Sequence, residues 1–219
     1  MTESFRPTVL RSKGWAALQD KWGNAALASL MLYAVALAGG IVTGLVSVIL
    51  GSISVKLGTL IYILGLFALT FASMLCAVGL IYIFWDVLKG GRVEFNTIFE
   101  PLKDWRRYLT AVVLVFVYTF LWSLLLYIPG IIKGLSYSQT YFIMRENPEM
   151  SGEQAIQQSM KMMHGHKMDL FLLGLSFIGW ILLGVITLGI GYLWIYPYVY
   201  TTFAAFYEEL KEDYETRIA

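Results

Sequence analysis

The stretch Leu57–Trp85 reads LGTLIYILGLFALTFASMLCAVGLIYIFW, 29 residues without a single Asp, Glu, Lys, Arg or His. A helix rises about 1.5 Å per residue, so this stretch is long enough to cross the roughly 30 Å hydrocarbon layer of a membrane. Three further stretches, residues 22–55, 108–132 and 170–207, are uncharged over a similar or greater length. The sequence therefore predicts an all-α membrane protein that crosses a bilayer several times.

The composition excludes an ordinary soluble domain. Charged residues make up 14% of the 219 residues and hydrophobic residues 58%, whereas soluble domains contain roughly 25% charged residues. The uncharged stretch nearest the N-terminus is also too long for the roughly 7–15-residue apolar core of a secretory signal peptide. The net charge of +1 and the lack of a basic patch interleaved with aromatic residues give no indication of nucleic-acid binding.

Six transmembrane helices account best for these stretches. The last stretch is too long for one helix and contains the turn-forming run Thr187–Gly191, which predicts a hairpin of two spans. The first span is expected to end at the Gly51–Ser54 turn, and a short, polar fourth span of about 24 Å is expected after a break at Pro129-Gly130. The whole chain, residues 1–219, is interpreted as one transmembrane domain with spans at about 25–50, 60–85, 108–127, 130–145, 170–188 and 192–207, followed by a short acidic cytoplasmic tail, 208–219.

The distribution of basic residues predicts the orientation. Lys and Arg accumulate in the cytoplasmic loops of membrane proteins. If both termini are cytoplasmic, six spans leave only Lys56 and Lys133 of the 16 basic residues near the outer face, and 14 on the cytoplasmic side. If residues 130–145 did not cross the membrane, the basic residues that flank the final hairpin would lie on the outer side, contrary to this rule. Both termini are therefore predicted to lie on the cytoplasmic side.

Short amphipathic helices are expected on the cytoplasmic side. Ser151 and Gln154 form the pattern of a capping box, and the apolar residues among 155–163 lie on one arc of the helix that follows. Such a helix lies either on the inner leaflet or on the ends of the spans. Residues 95–102 also have an apolar face. A similar segment precedes each pair of spans, which suggests three repeated hairpin units, although Trp and charge flanking any span give the same pattern.

Chemically reactive groups are sparse. Ionisable residues within a bilayer are costly and usually functional, and the predicted spans carry none near their centres. We therefore predict no catalytic residue, no cofactor and no metal site, since His164 and His166 alone are too few ligands for zinc. Together with Asp169 they are the plausible acid or base groups if the protein acts on lipid at the inner interface.

The most informative polar cluster lies in the predicted fourth span. It contains Lys133, Tyr137, Ser138, Gln139 and Thr140. A short span interrupted by Gly or Pro indicates a transport or ligand site. The alternative is that these side chains form hydrogen bonds with neighbouring helices while Lys133 extends to the outer surface.

The carboxy-terminal half resembles a known family. The motifs that carry the resemblance are Pro129–Ile132, Glu146–Glu149, Ser159–Lys167, Leu170–Leu172, Leu175–Trp180, Thr187–Gly191, Pro197-Tyr198 and Phe206–Leu210. With these motifs the chain is similar to a family of bacterial integral membrane proteins catalogued as domain of unknown function nine-seven-five. The resemblance implies a multi-pass protein of a bacterial cytoplasmic (cell) membrane, and it implies no activity, substrate or catalytic residue.

Three functions remain open at this stage. The first is a non-enzymatic protein that acts through interactions at the inner membrane surface, with membrane lipids, a membrane protein or a second copy of the chain as partners. The second is a transporter or permease component that uses the polar site of the fourth span. The third is an enzyme that acts on lipid at the inner interface.

Overall fold

The computed structural model describes residues 3–218, so residues 1, 2 and 219 of the predicted domain lie outside it. Within that range every regular element is a helix and there is no strand. Short 3-10 helices lie at Glu3–Phe5 and Phe95–Phe99. The α-helices are α1 Pro7–Ala17, α2 Trp22–Ile53, α3 Val55–Leu88, α4 Glu100–Lys103, α5 Trp105–Leu125, α6 Tyr127–Tyr137, α7 Thr140–Glu146, α8 Gly152–Met162, α9 Lys167–Leu175, α10 Ile178–Ile186 and α11 Tyr192–Ile218.

Four helical segments are long and apolar enough to cross a membrane. They are α2, α3, residues 105–124 of α5, and residues 167–186, which comprise α9 and α10. These segments confirm the predicted class, an all-helical protein with several helices suited to a bilayer. The segment predicted as the fourth span consists of two shorter helices, α6 and α7, and is not one of these four segments. Helix α11, which ends in a charged tail, is not one of them either.

Helices α2 and α3 form a long hairpin whose surfaces meet through small residues. The α-carbons of Gly51 and Gly58 lie so close that a side chain on Gly58 would collide with the α2 backbone. The predicted Gly51–Ser54 turn is wrong in extent, because α2 remains helical through Ile53 and only Ser54 lies between the helices. The Ser54 amide still donates a hydrogen bond to the Leu50 carbonyl at 3.0 Å. The backbone polar groups of α2 are therefore hydrogen-bonded within the helix almost to the tip of the hairpin.

The buried core lies at one end of this hairpin. The carboxy-terminal half of α3 contributes Tyr82, Phe84 and Trp85, which belong to one buried cluster with residues of α1, α7, α8 and α11. The opposite half of the hairpin is covered by no other helix in the described chain, and no residue in the most apolar window of α2 is buried. Its apolar side chains are therefore available to lipid, and they include Leu37, Val48, Ile53, Ile63 and Phe67.

Helix α8 begins with the predicted capping box. Ser151 Oγ accepts from the Gln154 amide, and the Gln154 side chain accepts from the Ser151 amide. The apolar face of α8 packs on α5, α6 and α7, with Ala155 and Ile156 fully buried. Of the two locations left open by the sequence, the structure has α8 on the ends of the other helices, with its apolar face turned towards protein.

Candidate functional site

The segment predicted as the fourth span is interrupted within its length, which was not predicted. The break predicted before it, at Pro129-Gly130, lies slightly earlier in the structure, at Leu126 between α5 and α6, because Pro129 lies in the first turn of α6, where a missing amide proton costs nothing. The interruption occurs at Ser138-Gln139, between α6 and α7. There the Ser138 hydroxyl donates a hydrogen bond to the Leu135 carbonyl at 2.8 Å. This side-chain hydrogen bond competes with the backbone hydrogen bonds that would continue the helix.

Most polar groups at the break have partners within the chain. Ser136 donates to the Ile132 carbonyl at 2.8 Å. Ser159 of α8 donates to the Ser136 carbonyl at 2.7 Å and accepts from the Gln139 amide at 3.2 Å. This role of Ser159 was not predicted from the sequence, although a single hydroxyl residue on the otherwise apolar face of α8 indicates such a bond. Most of these bonds are therefore local, to groups one to four residues away, and only those of Ser159 join the break to a neighbouring helix.

Gln139 is the exception within this cluster. Its side chain is 2% exposed, and its Nε2 donates to Ser138 Oγ at 2.8 Å. In this arrangement Ser138 Oγ accepts a hydrogen bond from Gln139 Nε2 and donates one to the Leu135 carbonyl. Among residues 3–218, no donor reaches Gln139 Oε1. Such a buried, unbonded carbonyl costs about 1–3 kcal/mol.

A cavity of about 440 Å³ adjoins the break, between α3, α6, α7, α9 and α11; we call it the lateral cavity. Ser138 and Gln139 line it, and no charged residue is found among its described lining residues. Phe171 and Leu175 of α9 line it and are exposed, so it reaches the apolar flank of the bundle. Its apolar wall includes Ile81, Leu135, Phe142, Leu170, Tyr200 and Phe203.

The other residues of the predicted polar site lie outside the cavity lining. Lys133 Nζ lies 4.9 Å from the ring centroid of Trp122, a cation–π contact. Tyr137 is buried with its ring 6.2 Å from that of Tyr118, and the buried Thr140 donates to the Tyr137 carbonyl at 2.7 Å. The structure therefore brings only two of the five predicted residues together at the cavity.

The candidate groups at the inner interface divide into two places. His166 lies between Asp169, 3.1 Å from its Nδ1, and Asp213, 3.2 Å from its Nε2, and the ring of Phe5, tilted by 34°, is centred 4.4 Å from the His166 ring. His164 lines a separate groove. Asp213 was missed because only the fold brings the carboxy-terminal tail to α9. In the part of the chain that the structure describes, no group of three or more His, Cys, Asp or Glu is arranged to hold a metal ion.

The predicted acidic tail continues α11 as a helix through residues 208–218 and packs on the rest of the chain. Glu209 pairs with Lys13 of α1, and Lys211 pairs with Glu146 of α7 at 2.7 Å. The hydrogen bond to Glu146 raises the pKa of Lys211 above its ordinary value of 10.5. The tail therefore joins the first and last parts of the chain at the end that holds the core.

Comparison with known proteins identifies a family for this region. Residues 124–214 match the family described as Protein of unknown function (DUF975). This match confirms the family resemblance predicted from the sequence. Comparisons with curated proteins and with solved structures find no match. The matched residues contain both helices of the broken segment, α8, and nearly the whole wall of the lateral cavity.

Proposed function

We propose that this chain is a six-span protein of a bacterial cytoplasmic membrane that binds a lipid-like molecule in the lateral cavity and carries out no chemistry on it. Both termini lie in the cytoplasm in this proposal. Support for the fourth span comes from the path of Tyr127–Glu146, 20 residues that reach about 30 Å. Gly130 and Gly134 contact Ser123 and Thr119 in antiparallel order along α5, as a returning span would.

The order of elements supports three repeated units. A short helical segment precedes each of three hairpins, which are α2 with α3, α5 with α6 and α7, and α9 and α10 with α11. We include this repeat in the proposal because each short segment lies at the end of the bundle that holds the core.

The single observation that carries the proposed function is the lateral cavity itself. Ligand sites are typically cavities of about 300–1,000 Å³ with apolar walls and a few polar groups. This cavity has that size, and Phe171 and Leu175 at its edge are exposed on an apolar flank. A molecule can therefore enter from the hydrocarbon layer without crossing a charged surface.

The lining also favours binding over the two other functions. General acid or base catalysis needs a titratable group within hydrogen-bond reach of the substrate, and ion coupling within a membrane usually uses a charged side chain. Neither His166 nor Asp169 lines the cavity, whose described lining holds the phenols of Tyr141 and Tyr200 and no Asp, Glu, His, Lys or Arg. A transporter of a neutral lipid remains the second candidate, because the interrupted helix adjoins the cavity.

A cavity-filling substitution tests the proposal. Gly174 lines the cavity, and a Cβ built on it meets no described atom within 4 Å, so Gly174→Leu adds bulk to the empty space. Gly179→Leu is the matched control, because a Cβ there also meets no described atom and Gly179 does not line the cavity. Both variants place leucine in the same helical hairpin, on its lipid-accessible side.

The assay is photocrosslinking of the purified full chain in lipid nanodiscs with a long-chain alcohol that carries a diazirine in its alkyl chain. We expect crosslinks on α7 and α9 in the parent protein and in Gly179→Leu, and their loss in Gly174→Leu. Crosslinks that are unchanged in Gly174→Leu, or that occur only on the exposed halves of α2 and α3, would refute the cavity as the binding site.

A further inference from the structure

The chain has seven tryptophans, and four of them surround one cavity of about 350 Å³ between α1, α2, α10 and α11. We call this cavity the aromatic cage. It shares no described lining residue with the lateral cavity. Trp15 and Trp194 are 44% and 47% exposed, so the cage is open at its edge. Its described lining consists of Trp15, Trp22, Trp180, Trp194, Ile195 and Tyr198.

The rings of the cage are steeply inclined to one another, so they form walls around the space. The ring centroids of Trp15 and Tyr198 are 5.4 Å apart with their planes at 83°, and those of Trp180 and Tyr198 are 5.5 Å apart at 78°. Trp15 and Trp22 are 4.9 Å apart and inclined at 60°. The surface that these walls present is almost wholly carbon, so no hydrogen-bond acceptor of the described lining faces the space.

The three tryptophans outside the cage each have a cation of their own. A Lys or Arg within about 6 Å of a ring centroid is attracted by the negative face of the ring. Among residues 3–218, no Lys or Arg makes such a contact with the four tryptophans of the cage. The pairs outside the cage are Lys89 with Trp85 at 4.0 Å, Arg106 with Trp105 at 5.4 Å and Lys133 with Trp122 at 4.9 Å.

Tyr198 differs from the four indoles of the cage, because it already has a cation. The guanidinium carbon of Arg11 lies 5.7 Å from the Tyr198 ring centroid, and Arg11 Nε donates a hydrogen bond to the Tyr198 hydroxyl at 3.1 Å. Arg11 is not among the described lining residues of the cage. Arg11 therefore holds Tyr198 in place, and the four indoles form the surface that is left for another cation.

We propose that the aromatic cage binds a quaternary ammonium group, held against the faces of its indoles. Tryptophan attracts a cation over its ring more strongly than tyrosine or phenylalanine does, and cages of aromatic side chains recognise this group. A primary ammonium has three N–H donors, and here it would lose its hydrogen bonds to water without replacement. A quaternary ammonium has no N–H group to leave unpaired. An anion would meet the negative faces of the rings.

The experiment uses NMR spectroscopy of the full chain, with ¹⁵N-labelled tryptophan, in nanodiscs of phosphatidylglycerol, a lipid without a quaternary ammonium group. Choline is the probe, and the neutral alcohol in which carbon replaces the choline nitrogen is the control ligand of the same shape. Choline should shift the indole signals of the four cage tryptophans in a saturable way and leave those of Trp85, Trp105 and Trp122 in place. It should bind at least about tenfold more tightly than the neutral alcohol.

Two outcomes of this titration would overturn the proposal. Tryptophans also gather at membrane interfaces without binding any ligand, and in that case choline shifts no cage signal or shifts all seven signals alike. If the neutral alcohol binds as tightly as choline, the cage is an apolar cavity without preference for a cation.

Substitution of the cage tryptophans gives a second test. Trp15→Leu and Trp194→Leu each keep the edge of the cage apolar and remove one indole, so each should weaken choline binding at least about fivefold. Trp105→Leu is the matched control, because Trp105 is 49% exposed and lies outside the cage. Unfolding midpoints equal to that of Trp105→Leu show that the variants fold. Unchanged affinity for choline in both cage variants would contradict the proposal.

Nanodiscs of phosphatidylcholine distinguish the two sources of the group. If the cage holds a lipid head group, its four signals start at the shifted positions in this lipid, and added choline has no further effect. If the ligand is a free solute, choline shifts the cage signals equally in both lipids. Either result supports the site, whereas cage signals that are identical in both lipids and unaffected by choline refute it.

Discussion

Replacing Arg145 with methionine should destabilise the protein more than any other single loss of a basic residue at the core end. Arg145 lies at the end of α7, and its two terminal nitrogens contact the two carboxylate oxygens of Asp86 on α3 at 2.7 and 2.8 Å. A second carboxylate, that of Glu100, lies 3.2 Å away. The guanidinium also faces the ring of Tyr82, 4.7 Å from its centroid. One side chain therefore connects α7, α3 and α4.

The magnitude follows from what methionine leaves behind. Two carboxylates would face the site without a cation, and removal of one partner from a buried ion pair costs about 3–5 kcal/mol. The side chain of Arg145 is 19% exposed, but those of Asp86 and Glu100 are each 37% exposed and retain part of their hydration. We therefore expect a loss of about 2–3 kcal/mol, below the value for a fully buried pair.

The assay is thermal unfolding of the purified protein in nanodiscs, followed by tryptophan fluorescence. At roughly 2–4 °C per kcal/mol for a chain of this size, the midpoint of Arg145→Met should fall by about 5–10 °C. Arg106→Met is the control, because Arg106 is exposed and its described contact is with the neighbouring ring of Trp105. A midpoint within about 1 °C of this control would refute the reasoning. Asp86→Asn combined with Arg145→Met should cost less than the sum of the two single changes.

Two further predictions concern close packing and pH. Gly79→Ala should lower the unfolding free energy by about 1–3 kcal/mol, because the added methyl group would collide with the Ile98 carbonyl. Gly44→Ala is the control: its methyl group meets no described atom within 4 Å, and the better helix propensity of alanine should raise the unfolding free energy by about 0.5–1 kcal/mol. Lys211→Met should lower the unfolding free energy by the same amount from about pH 6 to 9. The pKa of Lys211 is raised by its hydrogen bond to Glu146, so the ion pair persists until the pH rises beyond the ordinary lysine pKa. A series of unfolding midpoints measured across this pH range tests the prediction.

Features that depend on a few neighbouring residues were predictable from the sequence. The capping box of α8 needs only Ser151 and Gln154, and both of its hydrogen bonds form. The sequence also predicted the turn at Thr187–Gly191 between the last two helices. In the structure α10 ends at Ile186 and α11 begins at Tyr192. Gly189 adopts a φ of +91° there, a conformation that glycine enters at little cost.

Features that depend on tertiary contacts were not predictable in the same way. The break expected at Pro129-Gly130 occurs at Leu126, because a proline in the first turn of a helix is compatible with helical geometry. The further interruption at Ser138-Gln139 depends on local hydrogen bonds from hydroxyl groups to carbonyls and on Ser159 of α8. A second interruption, between α9 and α10 at Ser176-Phe177, was not predicted, since that stretch is as apolar as an unbroken span.

The lateral cavity and the carboxy-terminal tail are linked through one stack of side chains. Phe142 lines the cavity and stacks on Tyr207 of α11 at 4.7 Å between centroids. Tyr207 donates to Glu146 at 2.7 Å, and Glu146 accepts from Lys211. The wall of the cavity at Phe142 is therefore tied by hydrogen bonds to the end of the bundle that holds the core, while the exposed side chains of α9 line its opposite side.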